Sequence, residues 1–267
     1  GPGSAMAEVP YHRIEDWDAI GPGVVAGITA VEPGAGAGSE ADFGLNTGGS
    51  PPDVERRYRM LASAMGMHYS VVARQVHGTH ILEADASSGS GSSVIGEADG
   101  VVTSARGVLL AVTAADCVPV FIVDLGGRCI ALLHAGWRGA AGGILEGGLS
   151  VLADRFGVKP GDVTIYLGPS ICGSCYEVGV EVLRAFRRDA AGPARLDLRG
   201  ELARKAVESG VSAERVVRSQ WCTRCGPVPL HSHRARGERA GRMAAFLGLV
   251  PGTQRAPDPG SAGWEVR

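Results

Sequence analysis

The chain has no apolar run approaching the ~18 residues a helix needs to span a bilayer, so no membrane span is expected. No basic segment followed by an apolar one opens it, so no secretory leader is expected either. An excess of charge is also missing. Its 26 lysine and arginine residues against 28 aspartate and glutamate leave a formal net charge of −2 at pH 7. That balance argues against broad affinity for nucleic acid or anionic lipid. Histidine is scarce. The seven present are fewer than a type 1 copper centre plus a trinuclear cluster consume, and His12 and His68 lie away from every motif. Ligand supply therefore excludes a multidomain multicopper oxidase, although His231-Ser232-His233 has the H-x-H form such sites use.

A length of 267 residues allows one large domain or two small ones and is ample for a sizeable core. No internal repeat and no linker between two cores is visible, so one domain is expected. Glycine is abundant, 41 residues or about twice the usual ~7%, which predicts many tight turns and close backbone approaches. Six cysteines without an export signal predict reduced thiols in the cytoplasm. Gly1-Pro2-Gly3-Ser4 reads as a cloning remnant. Residues 1–20 are expected to be loose, 21–250 to form the domain, and 251–267 to be a flexible tail.

Residues 108–143 organise the rest. Short runs rich in Val, Ile and Leu at 108–112, 118–123 and 129–133 read as buried strands. Further strands are expected at 23–29, 70–76, 79–84, 99–103, 163–167, 215–219 and 243–249. Pro51-Pro52-Asp53 opens a helix whose apolar face is Val54, Tyr58, Leu61 and Met65. Other helices are expected over 137–156, around 180–186, and after an Asp197 cap. Residues 85–97 read as a serine-glycine loop, the internal segment most prone to disorder. Strands and helices alternate only partly, which predicts α+β architecture with a mixed sheet and outer helices, not a doubly wound parallel sheet.

Three residues stand out at the ends of these strands. Cys117 lies between two runs, His134 closes a third, and His77 closes R-Q-V-H-G. Two imidazoles and a thiolate make a three-ligand metal site of the kind that leaves a position open, and they suit zinc and also copper. For His77 or Cys117 alone an ordinary structural residue is the plainer reading; His134 is harder to dismiss, since it ends an apolar strand before Ala135-Gly136, where the chain can approach a ligand closely. Asp116 is either a carboxylate behind this site or, more in keeping with its place, a turn-former. Gly136-Trp137-Arg138-Gly139 leads from strand into helix, where backbone N–H groups and Arg138 suit an anion. It has neither the Walker A nor the G-x-G-x-x-G order, so close helix packing weighs equally. Cys172-x-x-Cys175 and Cys222-x-x-Cys225 raise a four-thiol zinc, but 46 residues separate the pairs, far beyond the compact ~15–20 spacing. A long loop does not forbid the site, but unlinked thiols, or a disulfide formed during purification, are expected. Ser232, His233 and Arg234 are expected to form part of a polar pocket.

Taken in order, R-Q-V-H-G at 74–78, E-A-D-G at 97–100, T-A-A-D-C-V-P-V at 113–120, H-A-G-W-R-G at 134–139, L-G-P-S-I at 167–171 and C-Y-E-V-G at 175–179 resemble the laccase-domain, or polyphenol oxidase-like, family. Its members were later described as purine nucleoside phosphorylases. The resemblance runs from about residue 27 to 249. It implies a single α+β domain, a layered sandwich of stacked mixed β-sheets with outer helices. It implies zinc on His77, Cys117 and His134, and phosphorolysis of adenosine, inosine, guanosine and methylthioadenosine with adenosine deamination. Asn46, in G-L-N-T-G, is implied as a substrate contact beside Arg138 and Arg234. The chain departs from the family at 30–38, where an arginine-bearing stretch is replaced by A-V-E-P-G-A-G-A-G, and at His233 and Ala235. Two rival chemistries stand beside the phosphorylase: a one-metal copper-dependent phenol oxidase, and a cysteine hydrolase with Cys117 as nucleophile and His134 as base.

Overall fold

The computed structural model describes residues 9–14, 23–89 and 93–252. The tail expected from 251 lies outside them but for its first two residues. Much of the N-terminus expected to be loose lies outside them as well, yet Tyr11–Arg13 within it forms a strand, β1.

Two six-stranded mixed sheets make the frame. The first contains β1, β2 (Val24–Thr29), β3 (Tyr69–Arg74), β5 (Val94–Glu97), β7 (Val108–Ala114) and β14 (Met243–Leu249), in the order β1-β2-β14-β7-β3-β5. The second contains β4 (Ile81–Glu83), β6 (Gly100–Thr103), β8 (Val118–Asp124), β9 (Ile130–Ala135), β10 (Val163–Leu167) and β13 (Val216–Arg218), in the order β13-β10-β8-β9-β6-β4. A small ribbon joins β11 (Glu177–Val178) to β12 (Ala194–Arg195).

The apolar runs are continuous because the central strands are covered on both faces. Val108, Leu110 and Val112 of β7 meet Phe121, Val123, Ile130 and Leu132 in the space between the sheets. Leu109 and Ala111 point the other way, onto Val54, Tyr58 and Leu61 of α1 (Pro51–Ala64). Val120, Ile122 and Leu133 of the second sheet turn outward under α2 (Trp137–Gly142), α3 (Ile144–Phe156), α4 (Val180–Ala185) and α5 (Leu198–Glu208). The result is four layers, helix on sheet on sheet on helices, as expected for the α+β reading. No helix among the described residues is long and apolar enough to cross a membrane.

Two local expectations are corrected. The single helix expected over 137–156 is broken at Gly143, whose φ of 95° lies in the left-handed region and ends α2 before α3 begins. The loop expected over 85–97 yields β5, which adds in parallel to the edge of β3. The Ser93 N–H donates to the Glu55 carboxylate of α1, at 3.0 Å to the nearer oxygen, and so seats the strand. With four residues and Gly96 at φ 146°, β5 is too short and irregular to show a period.

The helix over the first sheet depends on a local cap. Ser50 Oγ accepts from the Asp53 N–H and donates to the Asp53 carboxylate at 2.6 Å. Ser50→Ala is expected to lower stability by ~1 kcal/mol. A denaturant titration checks this; an unchanged midpoint would show that α1 is held by its packing alone.

Candidate metal centre

β7 and β8 are consecutive in sequence but lie in different sheets, so the chain crosses from one to the other at Ala115-Asp116-Cys117. Asp116 makes the crossing with φ at 110°, a region side chains rarely occupy. Its carboxylate ties the turn down at both oxygens. Oδ1 accepts from the Thr223 hydroxyl and Oδ2 from the Arg234 N–H, each at 2.6 Å. Asp116 is thus the turn-former, anchored to the loop at Thr223 and to the short helix His233–Arg236.

Beyond the crossing, β8 runs antiparallel to β9, with Val118 opposite Ala135 and Pro119 opposite His134. This register brings Cys117 beside His134. His77 arrives from the first sheet, in the turn after β3, with φ at 60°. That turn closes on one carboxylate. Asp99 accepts from the N–H groups of Val76, His77 and Gly78 at 3.1, 3.0 and 2.8 Å, and pairs with His134 Nδ1 at 2.9 Å. Gly136 leaves room for the cluster: a Cβ there would lie 3.0 Å from the Cys117 sulphur and 3.3 Å from the His77 ring.

One donor atom from each of His77, Cys117 and His134 lies within 4.8 Å of the others. The rings of His77 and His134 meet edge to face with centroids 5.0 Å apart. Burial raises the pKa of the Cys117 thiol, but the facing His134, aided by His77, outweighs it and brings the value to about 6. Burial works against charge on His134 too, yet Cys117 and Asp99 raise its pKa to about 9. Asp99 is held below the ordinary carboxylate range despite burial, by His134 and the turn N–H groups. A polarised thiolate, two imidazoles and a carboxylate fixing one of them are a donor set that fits zinc or copper.

The cluster floors a cavity of about 380 Å³ walled by Thr113, Tyr176, His233, Arg234 and Arg242. A second cavity of about 340 Å³, lined by Asn46, Arg74, Gln75 and Glu238, shares His77, Thr113 and Arg242 with it. Burial lifts the Tyr176 phenol to about 12, so it keeps its proton. Arg234 donates to the Glu177 carbonyl at 2.8 Å and stands 5.3 Å over the Tyr176 ring. Asn46 and Arg234 therefore face the cavities. Arg138 does not: it is exposed, stacked 4.3 Å over Trp137, and outside both linings.

Three further residues carry the arrangement without having been singled out from sequence. Asp99 was visible only as part of E-A-D-G. Arg242 lines both cavities. Asp42, fully within the protein, accepts from the N–H groups of Gly44 and Arg242 and from the Thr47 hydroxyl, so it shapes the Asn46 loop and fixes Arg242. Of the H-x-H histidines, His233 lines the cavity, whereas His231 is buried against the Ala41 carbonyl at 3.2 Å. Its pKa is lowered by burial.

The two C-x-x-C pairs need correction. The 46 residues between them were expected to keep them apart, but parallel pairing of β10 with β13 runs the following loops side by side, and Ser170 bridges to Cys222. All four sulphurs come within 4.8 Å of one another.

Comparison with known proteins adds a family and an activity of relatives. The family described as multi-copper polyphenol oxidoreductase laccase matches residues 28–250. The chain is 34% identical over 247 residues to purine nucleoside phosphorylase YlmD of Geobacillus stearothermophilus, covering 85% of this chain and 90% of that protein. It is 37% identical over 163 residues to adenosine deaminase RL5 from an unknown prokaryotic organism, covering 57% and 61%. The crystal structure of the Bacillus licheniformis hypothetical protein YfiH superposes with a TM-score of 0.79 at 27% identity, covering 92% and 98%.

Proposed function

The chain belongs to the multi-copper polyphenol oxidoreductase laccase family, and from that premise we propose that it is a zinc-dependent purine nucleoside phosphorylase that also deaminates adenosine. The domain carrying this activity spans 21–250. The names of the relatives support the reaction class. The observation that carries it in this chain is the His77, Cys117 and His134 cluster at the floor of a cavity that shares His77, Thr113 and Arg242 with the one containing Asn46.

His77, Cys117 and His134 would hold the ion, which would supply Lewis acidity at the cavity floor. Asp99, 2.9 Å from His134 Nδ1, fixes the orientation of that ring and would leave its other nitrogen free to hold the ion. Arg234 and Arg242 bring positive charge to the cavity and replace Arg138 as candidates for phosphate. Asn46 presents an amide donor and acceptor to base or ribose. The Tyr176 ring offers the purine a flat apolar wall. Inosine, adenosine, guanosine and methylthioadenosine are the proposed substrates.

The test uses metal-quantified protein incubated with these nucleosides, with and without phosphate, and products separated by chromatography. Base release that requires phosphate, and ammonia from adenosine, are expected. Equal base release without phosphate would replace phosphorolysis by hydrolysis. Oxygen uptake with a phenol by copper-loaded protein, and no base release, would favour the oxidase.

A second reading rests on a specific alignment. Cys117, His134 and Asp99 form a thiol–imidazole–carboxylate series, the arrangement of a cysteine hydrolase. His77 has no necessary part in that chemistry, and its substitution separates the two readings.

A further inference from the structure

The four thiols away from the cavity are a built site with no part in the chemistry above. We propose that Cys172, Cys175, Cys222 and Cys225 hold one structural zinc ion as a tetrathiolate, clamping the loop after β10 to the loop after β13.

The sulphurs are already spaced for it. Tetrahedral zinc with Zn–S bonds of ~2.3 Å separates its sulphurs by ~3.8 Å. Cys172 and Cys225 stand 3.8 Å apart, and all four sulphurs lie within 4.8 Å. Each pair sits in its own turn. The Cys175 N–H donates to the Cys172 carbonyl at 3.0 Å, and the Gly226 N–H to the Cys222 carbonyl at 2.9 Å. The second turn admits only glycine at its end, since a Cβ on Gly226 would lie 2.3 Å from that carbonyl oxygen.

The backbone is also arranged for negative sulphur. The Sγ of Cys222, 3% exposed, accepts from the N–H groups of Cys172, Arg224 and Cys225 at 3.3, 3.4 and 3.5 Å. One of those donors comes from the opposite pair, so the two turns meet around a single sulphur. Such N–H donors orient thiolate ligands and spread their charge. Four thiolates on one dication leave a net charge of −2, and these N–H donors offset part of it.

The clamp acts where the two loops already meet through backbone contacts. Ser170 and Cys222 form an isolated parallel bridge, and the Thr223 N–H donates to the Ser170 carbonyl at 3.1 Å. Thr223 in turn holds Asp116, one residue from Cys117, while Tyr176 follows Cys175 directly. Fixing the four sulphurs therefore stiffens one wall of the neighbouring cavity.

Metal counting on full-length protein, purified under reducing conditions, tests this without any assay of nucleosides. We expect about two zinc ions per chain in the wild type and one in Cys117→Ala, where only the tetrathiolate remains. In that background Cys172→Ser with Cys222→Ser is expected to remove the last ion. Should this variant fail to fold, cobalt substitution of Cys117→Ala decides, since a tetrathiolate gives intense sulphur-to-cobalt charge-transfer bands. A metal-free Cys117→Ala protein with four thiols freely titratable by a disulfide reagent would overturn the proposal. A disulfide within the cluster under reducing conditions, or iron in place of zinc, would overturn it too.

Discussion

Cys117→Ala is expected to abolish metal binding at the cavity floor and to lower phosphorolysis of inosine by about 10³-fold or more. The reasoning starts from the donor set. Removing the thiolate leaves two imidazoles, one on an exposed turn, and takes away the negative charge that holds His134 protonated when the metal is absent. Loss of a Lewis acid costs several kcal/mol of transition-state stabilisation, and each ~1.4 kcal/mol is tenfold in rate. The fold should survive, because the side chain is small and the crossing turn is tied by Asp116. Unchanged circular dichroism with metal and activity both lost is the expected pattern. His77→Ala supplies the contrast: a metal-dependent phosphorylase loses activity with it, whereas a cysteine hydrolase keeps most of its rate. Retention of full activity by His77→Ala would sink the metal-dependent reading.

The second large effect is on the titration of Cys117 itself. In metal-stripped protein its thiolate is expected to persist down to a pKa of about 6, well below the ~8.5 of a free thiol. The sign follows from the partner. His134, with its pKa raised to about 9, is cationic across this range and favours the thiolate. As pH falls through 6 the thiolate is protonated and alkylation at Cys117 should drop. The profile is a better readout than the rate at one pH, since a thiolate of low pKa is also a weaker nucleophile. In His134→Ala the largest opposition to burial is lost and only His77 still favours the thiolate, so the midpoint should move up. Saturating zinc should suppress alkylation throughout. Mass spectrometry of the Cys117 peptide after timed alkylation measures all three. A wild-type midpoint near 8.5 would mean that the thiol and imidazole are not paired in solution.

What could be read from sequence tracks what leaves a local signature. Residues 108–112 and 118–123 announced buried strands because every position in them is covered. Their assignment to different sheets was not legible, since a turn of three residues serves a hairpin equally well. His77, Cys117 and His134 stood out by type and place. Asp99, which fixes two of the three, did not, because a carboxylate beside a glycine looks like any turn. Arg138 was favoured by its position at a helix start, but the neighbouring Trp137 ring takes its guanidinium. The cysteine pairs show the limit most clearly. Sequence separation measures the length of intervening chain, and here α4, β12 and α5 return that chain to its starting point.

The place of β14 bears on how the chain is made. It lies in the middle of the first sheet, between β2 and β7, and pairs with both, although it is the last strand in the described sequence. During synthesis the three residues at the cavity floor emerge early, but β2 and β7 wait for residues 243–249 with their backbone edges unpaired. Such edges are templates for association with other chains. Release of the chain before residue 243 would leave this gap open for good, so translation must run almost to the end of the described sequence before the first sheet can close.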